Sequence, residues 1–234
     1  KKKITLDTMS RQQNISESMA TVFKIAARCR LNILISGGTG SGKTTTLYSA
    51  LQELNRPDKK IITAEDPVEY NFAGMNQCQV REDIGMTFNV ILRSMLRQAP
   101  NIILVGEIRD EETAEMAFRA AMTGHQVFST LHTNSALGAI PRLLDIGVKP
   151  HILAGNIIGI VAQRLVRRLC RKCRQAYAPD ETESQLLGIK PGKPVLLYRE
   201  NGCDSCNFLG FKGRVAVIEV LKMNAELDEM IAQQ

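Results

Sequence analysis

Gly37-Gly38-Thr39-Gly40-Ser41-Gly42-Lys43-Thr44 satisfies the pattern G-x-x-x-x-G-K-[ST], whose successive backbone N–H groups curl around phosphate oxygens. Its glycines permit the backbone angles and the close approach, Lys43 balances β/γ-phosphate charge, and Thr44 offers a hydroxyl to Mg²⁺. A helix following the loop would aim its positive end at the anion. The competing reading is a chance glycine-rich turn, which at ordinary glycine usage arises in a chain this size on the order of 1% of the time. The spacing therefore predicts a nucleoside-triphosphate site.

Cleaving such a nucleotide also needs a carboxylate that orients or deprotonates water, placed at a strand end near the phosphates. Two clusters qualify: Glu65-Asp66-Pro67-Val68-Glu69 after the apolar Ile61 to Thr63, and Glu107 after Ile102-Ile103-Leu104-Val105-Gly106. The usual Walker B aspartate ahead of the glutamate is absent because Val105-Gly106 occupies that stretch, so Mg²⁺ would be held partly through water. His125 and His132 bracket Gln126 to Leu131. Beside a phosphate loop they fit phosphate sensing or coupling; the blander reading is two strand-end histidines with ordinary hydrogen bonds. Arg81, Arg93, Arg97 and Arg109 are candidates for neutralising developing γ-phosphate charge, each competing with a plain surface ion pair.

A second chemistry lies further along. Cys170-x-x-Cys173 and Cys203-x-x-Cys206 are two knuckles separated by 29 residues, each able to offer two thiolates to one tetrahedral Zn²⁺. A redox pair would need only one such knuckle, and disulfides are disfavoured without an export signal, so structural zinc is the favoured reading. Zinc there would staple a small lobe with too little apolar core to fold alone. Cys29 and Cys78 read as ordinary buried thiols. Arg164, Arg167, Arg168, Arg171, Lys172 and Arg174 fall within eleven residues and carry much of the +6 net charge. They form either a solvated basic face or a surface for an acidic partner. Aromatic residues at 5%, with no Trp, argue against stacking on nucleic acid and leave a nucleic-acid-binding zinc protein as a minority alternative.

These groups need a scaffold. Leu31 to Ser36 reads as a strand entering the loop, and Leu47, Ala50, Leu51 and Leu54 repeat at helical spacing after it. Ile61 to Thr63, Ile102 to Val105 and Gln126 to Leu131 are short buried-strand candidates alternating with helical patterns, which predicts an α/β fold with a parallel sheet. Asp110 is expected to cap a helix ended by Gly124, and Pro141 to kink or interrupt the one after it. The expected division is 1–20, a linker or the remnant of a missing N-terminal domain; 21–165, the ATPase core; 166–215, the four-cysteine lobe; and 216–234, a truncated C-terminal segment. Hydrophobic residues at 44% and charged residues at 23%, without an apolar run near 18 residues, describe a globular chain rather than a bilayer span. The Lys1-Lys2-Lys3 start lacks an initiator Met and any apolar stretch behind it, which speaks against a secretory signal and for an excised fragment.

Taken in order, the motifs resemble those of the type II secretion and type IV pilus assembly ATPases, the GspE/PilB branch of the secretion ATPase superfamily, over nearly the whole chain. The phosphate loop from Gly37 to Leu47, Thr63-Ala64-Glu65-Asp66-Pro67-Val68-Glu69-Tyr70, Ile102 to Asp110, and Thr123-Gly124-His125 through Ser129-Thr130-Leu131-His132-Thr133-Asn134 are similar to the family's four boxes. The resemblance implies a RecA-like P-loop NTPase core with a small zinc-binding lobe. It further implies that Gly37 to Thr44 and Thr45 hold Mg-ATP, that Glu107 is the principal hydrolytic carboxylate, that Glu65, Asp66 and Glu69 help place water and metal, and that His125 and His132 report the γ-phosphate. It also implies a homohexamer in the full-length protein, cytoplasmic and peripheral at a bacterial inner membrane. There it would act on a membrane platform protein and the cytoplasmic domain of an inner-membrane assembly protein. The four-cysteine lobe favours assembly or secretion over retraction, which stays an alternative beside DNA uptake or conjugative transfer. Gln98-Ala99-Pro100-Asn101 stands where the family commonly has Gln-Asp-Pro-Asp, and Gly38 where many members carry Pro. The stretch Ala27 to Thr45 is similar to the branch serving Tad pili and conjugation, which fits a type IVb-like pilus member.

Overall fold

The computed structural model describes residues 4–190 and 194–233, so residues 1–3, 191–193 (with Pro191) and 234 lie outside the described residues. Its helices are α1 Leu6–Arg11, α2 Glu17–Arg28, α3 Lys43–Leu54, α4 Phe88–Leu96, α5 Glu111–Met122, α6 Ala139–Asp145, α7 Pro150–Leu153, α8 Glu181–Leu186 and α9 Ala225–Ala232. The strands are β1 Ile33–Ser36, β2 Ile61–Glu65, β3 Met75–Gln79, β4 Ile102–Val105, β5 Gln126–Leu131, β6 Gly159–Leu169, β7 Gln175–Tyr177, β8 Leu197–Arg199 and β9 Phe211–Lys222. The chain divides into one unit of residues 1–164 and 216–234 and a second of residues 165–215. Among the described residues, no helix is long and apolar enough to cross a membrane.

A sheet in the order β3-β2-β4-β5-β1-β6-β9 organises the first unit. The pairs β3/β2, β2/β4, β4/β5, β5/β1 and β1/β6 are all parallel, as the strand and helix alternation predicts. Every residue of β2, β4 and β5 is buried, the mark of strands covered on both faces. Period-two alternation then sorts their side chains. Ile61, Ile102, Leu104 and Phe128 face one cluster with Phe23, Leu47 and Leu51 of α2 and α3. Ile62, Ile103, Val105 and Val127 face the other with Leu92, Ala114 and Ala117 of α4 and α5. Each such large side chain contributes about 1.5–3 kcal/mol by leaving water.

Several expectations shift in detail. Residues 4–20, read as linker or remnant, form α1 and the start of α2, with Leu6, Met9 and Ile15 buried in the α2/α3 cluster. Asp110 caps α5, accepting from Thr113 N–H at 2.8 Å. Asp110→Ala is expected to lower unfolding free energy by about 1 kcal/mol in chemical denaturation, with no change in nucleotide affinity. Pro141 interrupts nothing: α6 begins at Ala139, so the proline sits in the first turn, where a backbone N–H has no intrahelical acceptor anyway. Cys29 is not buried; it is exposed at the C-terminal cap of α2, beyond the last inward-facing residue, Ala27.

Candidate functional site

The parallel sheet ends four of its strands at one edge, and the singled-out residues follow directly from them. Gly37 leaves β1 with its N–H on the Leu131 carbonyl at 3.1 Å, which ties the glycine-rich loop to the end of β5. Gly42 precedes α3 with φ 82°, a left-handed conformation suited to glycine. The first helical bond of α3 runs from Thr46 N–H to the Gly42 carbonyl at 3.0 Å, so the N–H groups of Lys43, Thr44 and Thr45 precede the ladder and point out of the helix start. A Cβ added to Gly38 or Gly40 would meet nothing within 4 Å, whereas one on Gly37 would lie 2.5 Å from both the Gln163 carbonyl and Ser41 Oγ. Ser41 Oγ is itself buried without a hydrogen-bond partner. Free helix-start donors, an orphaned hydroxyl and an open rim fit an anionic phosphate chain. Gly37→Ala is expected to destabilise the chain by about 1–3 kcal/mol and to abolish tight nucleotide binding, as read by thermal unfolding and nucleotide titration.

From Lys43 a line of polar contacts crosses to the other loops. Lys43 is 7% exposed and its Nζ donates to the Gly37 carbonyl at 3.0 Å. Burial pulls its pKa down, opposed by the charge of Glu69. Nζ also lies 3.0 Å from His132 Nε2, and the same ring nitrogen lies 2.9 Å from Glu107 Oε2. One nitrogen can accept from lysine or donate to carboxylate, but not both, so the imidazole tautomer decides which neighbour is engaged. The other Glu107 oxygen is paired with Arg109 Nε, and Arg109 Nη1 reaches Asp66 Oδ2 at 3.2 Å. Lys43, His132, Glu107, Arg109 and Asp66 thus join the ends of β1, β5, β4 and β2.

Burial lowers the His132 pKa, helped by the positive charges of Lys43, Arg109 and Arg142, which favours the neutral ring. Because the folded value lies below the unfolded one, the unfolded chain takes up the proton first as pH falls below about 6.5. The contribution of His132 is therefore flat above that pH and destabilising below it. Unfolding free energy measured from pH 7.5 to 5.5 is expected to fall less in His132→Gln than in the parent.

Other singled-out residues stand apart. Glu65 is 3% exposed and its carboxylate is taken up by Tyr48 Oη, by Thr63 Oγ1 at 2.5 Å and by Gln77 Nε2 at 3.1 Å. Those donors anchor the end of β2 and leave it off the Lys43–Glu107 line; burial and the Glu65 carboxylate push the Tyr48 phenol pKa up. Glu69 is exposed and acts on Lys43 through its charge. His125 precedes β5 while His132 follows it, which separates them by about 20 Å of extended strand. His125 is therefore not beside the phosphate loop of its own chain; its Nδ1 lies 3.2 Å from both the Ala120 carbonyl and Thr123 Oγ1. Arg93 pairs with Glu112 on the surface, and Arg81 bridges to Met86. Where the Walker B aspartate is missing, β4 runs close to β2. Gly106 donates to the Ala64 carbonyl at 2.7 Å, and a Cβ there would sit 3.1 Å from that same oxygen, a tight contact that the backbone of β2 would have to yield to.

Sequence reading missed Gln163. Only 1% exposed on β6, it donates from Nε2 to the Ser41 carbonyl and accepts at Oε1 from Thr46 Oγ1, both at 2.9 Å. Its one sequence signal is an amide inside an apolar run, Ile160-Val161-Ala162-Gln163.

In the second unit, Cys170, Cys173, Cys203 and Cys206 bring their sulfurs within 4.8 Å of one another. Three separations are 3.9, 3.8 and 3.8 Å. A tetrahedron with Zn–S bonds of about 2.3 Å has sulfur–sulfur edges of roughly 3.8 Å, so the set fits a thiolate-bound zinc. Burial acts to raise the Cys206 thiol, but the N–H groups of Cys203 and Gly210 and the adjoining sulfurs bring it down to about 7, while burial lifts Cys173 to about 11. The arginines around them stack on rings: Arg167 on Phe211 and Arg174 on Tyr198, 4.1 and 4.2 Å from the centroids.

A parallel α/β sheet with a glycine-rich loop between β1 and α3, and an acid and a histidine at the adjoining strand ends, defines the class of P-loop nucleotide-binding proteins. Residues 1–234 match the model of the Type II/IV secretion system protein family, and the chain belongs to that family. It is 49% identical over 199 residues to the type II secretion system protein E of Pseudomonas aeruginosa, covering 85% of this chain and 40% of that protein. It is 52% identical over 202 residues to the type IV pilus assembly ATPase PilB of Myxococcus xanthus, covering 85% and 36%. The chain thus spans about two-fifths of the length of these relatives. Among solved structures, the pilus retraction motor PilT with bound ADP superposes with TM-score 0.62 at 31% identity, over 95% of this chain and 55% of that one. The Legionella pneumophila ATPase DotB, at TM-score 0.61 and 24% identity over 96% and 53%, shares the fold.

Proposed function

We propose that this chain is the motor portion of an ATPase that powers type II protein secretion or type IV pilus assembly. The observation that carries the reading is the line Lys43–His132–Glu107–Arg109–Asp66, which links four strand ends beside a loop fitted to phosphate. On this reading Gly37 to Thr45 cradle the nucleotide, Lys43 neutralises its terminal phosphates, and Thr44 takes Mg²⁺, which would supply charge neutralisation at the phosphate oxygens. Glu107 accepts the proton of the attacking water. Asp66 and Arg109 hold Glu107 from the β2 side, and His132 senses the γ-phosphate by competing for Lys43. Glu65 serves as an anchor for the β2 end, with its oxygens committed to Tyr48, Thr63 and Gln77.

The full-length protein would work as a hexamer on an inner-membrane platform protein, with zinc in the cysteine lobe as a staple. Similarity to PilT favours pilus retraction as a second reading. Complementation separates the two. A bacterium lacking its own assembly ATPase and given the full-length protein is expected to rebuild surface pili or secrete its exoproteins, whereas restored retraction without either would sink the primary reading. His125→Ala is expected to leave the nucleotide Kd of the isolated chain within about twofold, since Ala120 and Thr123 hold that ring at the opposite edge of the sheet.

A further inference from the structure

Two consecutive residues of β6 grip two different loops of the candidate site. β6 lies beside β1, with Ala162 in register with Ser36, so Gln163 emerges where the phosphate loop begins. Both ends of its buried amide are used: Nε2 on the Ser41 carbonyl inside the loop and Oε1 on the Thr46 hydroxyl in the first turn of α3. The Gln163 carbonyl presses on Gly37, where a Cβ would lie 2.5 Å from it. One residue thus supports the start, the middle and the exit of the loop. Arg164, next along the strand, donates from Nε and Nη2 to the Asn134 carbonyl at 3.1 and 2.5 Å, two residues beyond His132.

We propose that Gln163 and Arg164 are positioning residues that set the phosphate loop and the His132 loop in register, with Gln163 controlling nucleotide affinity and Arg164 controlling turnover. The inference rests on the nucleotide-site reading above. An amide serves both partners of Gln163 at once, donating to the Ser41 carbonyl and accepting from the Thr46 hydroxyl, whose other acceptor is the Gly42 carbonyl at 3.2 Å. A methionine fills the volume but leaves the buried Ser41 carbonyl unpaired and the Thr46 hydroxyl with only the 3.2 Å bond to the Gly42 carbonyl, a costly state that the loop can relieve by moving. Arg164 holds the backbone just past His132, so its loss frees the 3.0 Å contact between His132 and Lys43 without touching the loop that binds phosphate.

The test measures the Kd for a fluorescent ATP analogue with Mg²⁺, together with kcat and KM for ATP, in the parent and in Gln163→Met, Thr46→Val, their double variant, Arg164→Met and Lys43→Ala. Gln163→Met is expected to raise Kd and KM about tenfold with kcat within twofold, and Arg164→Met to lower kcat about tenfold with Kd within twofold. Thr46→Val removes one of the two amide bonds without emptying the site of Gln163. Its effect should be smaller and should fail to add to that of Gln163→Met, a coupling that mere loss of folded protein does not produce. If Gln163→Met does not fold, a raised Kd in Thr46→Val alone supports the proposal and a parental Kd overturns it. Parental Kd in Gln163→Met, or both variants moving the same parameter, overturns the proposal. Undiminished binding by Lys43→Ala overturns instead the nucleotide-site reading beneath it.

Discussion

Glu107→Gln is expected to lower ATP turnover of the assembled protein by a factor of about 10²–10⁴, the range for loss of a positioned general base. Nucleotide affinity should stay within about threefold. Glutamine keeps the shape of the side chain and a hydrogen bond to His132 Nε2, now 2.9 Å from Glu107, but it cannot take a proton from water. Arg109 would lose one partner and keep Asp66, so the loop should hold its place. Phosphate release at saturating Mg-ATP and titration of a fluorescent nucleotide give the two numbers. Undiminished hydrolysis would remove Glu107 from its assigned role and turn attention to Asp66, which shares Arg109 with it.

The second large effect concerns the cysteine unit. Among the described residues of 165–215, the buried hydrophobic side chains are Cys170 and Cys206, whereas Leu186, Phe208 and Leu209 are 81%, 73% and 69% exposed. A unit built this way has almost no apolar core to hold it, and a structural zinc contributes on the order of 10 kcal/mol at pH 7 in comparably small folds. Cys170→Ser or Cys203→Ser is therefore expected to reduce bound zinc from about one per chain to less than a tenth and to melt residues 165–215. The sheet unit should keep its own cooperative transition. Metal content by mass spectrometry and amide hydrogen exchange across the lobe read the two outcomes. Parent protein without zinc, or full exchange protection of the lobe in Cys203→Ser, would end the staple reading.

How legible this molecule was depended on how local each signal is. β4 was readable to the residue because a strand covered on both faces is commonly apolar throughout, and β5 kept the expected bounds although Gln126, Ser129 and Thr130 are polar, since each is satisfied by a backbone carbonyl. β3, reading Met75-Asn76-Gln77-Cys78-Gln79, escaped notice because an edge strand buries little and need not be apolar. The loop from Gly37 to Thr44 carries its chemistry in consecutive residues and needed no tertiary information. The Arg109 bridge from Glu107 to Asp66 spans 43 positions, and its choice from four candidate arginines waited on β2 and β4 becoming neighbours. His125 and His132 show the opposite failure: close in sequence, they are thrown apart because an extended strand lies between them. Gln163 was invisible for the same reason that makes it useful, since both of its partners lie more than a hundred residues away.

The chain passes into the cysteine unit after Arg164 on β6 and returns at Ala216 on β9, and these strands are neighbours in the sheet. Backbone bonds join them at both ends, Met223 N–H to the Ile158 carbonyl at 3.0 Å and Cys170 N–H to the Gly210 carbonyl at 2.8 Å, so the strands run in opposite directions. Entry and exit are therefore about 5 Å apart. A cassette with such closely spaced ends can be spliced out and replaced by a two-residue turn at little loop-closure cost, leaving the strand that bears Gln163 paired on both sides. The cysteine lobe is in this sense an exchangeable fitting: it could be removed or traded for another without redesigning the sheet that carries the glycine-rich loop.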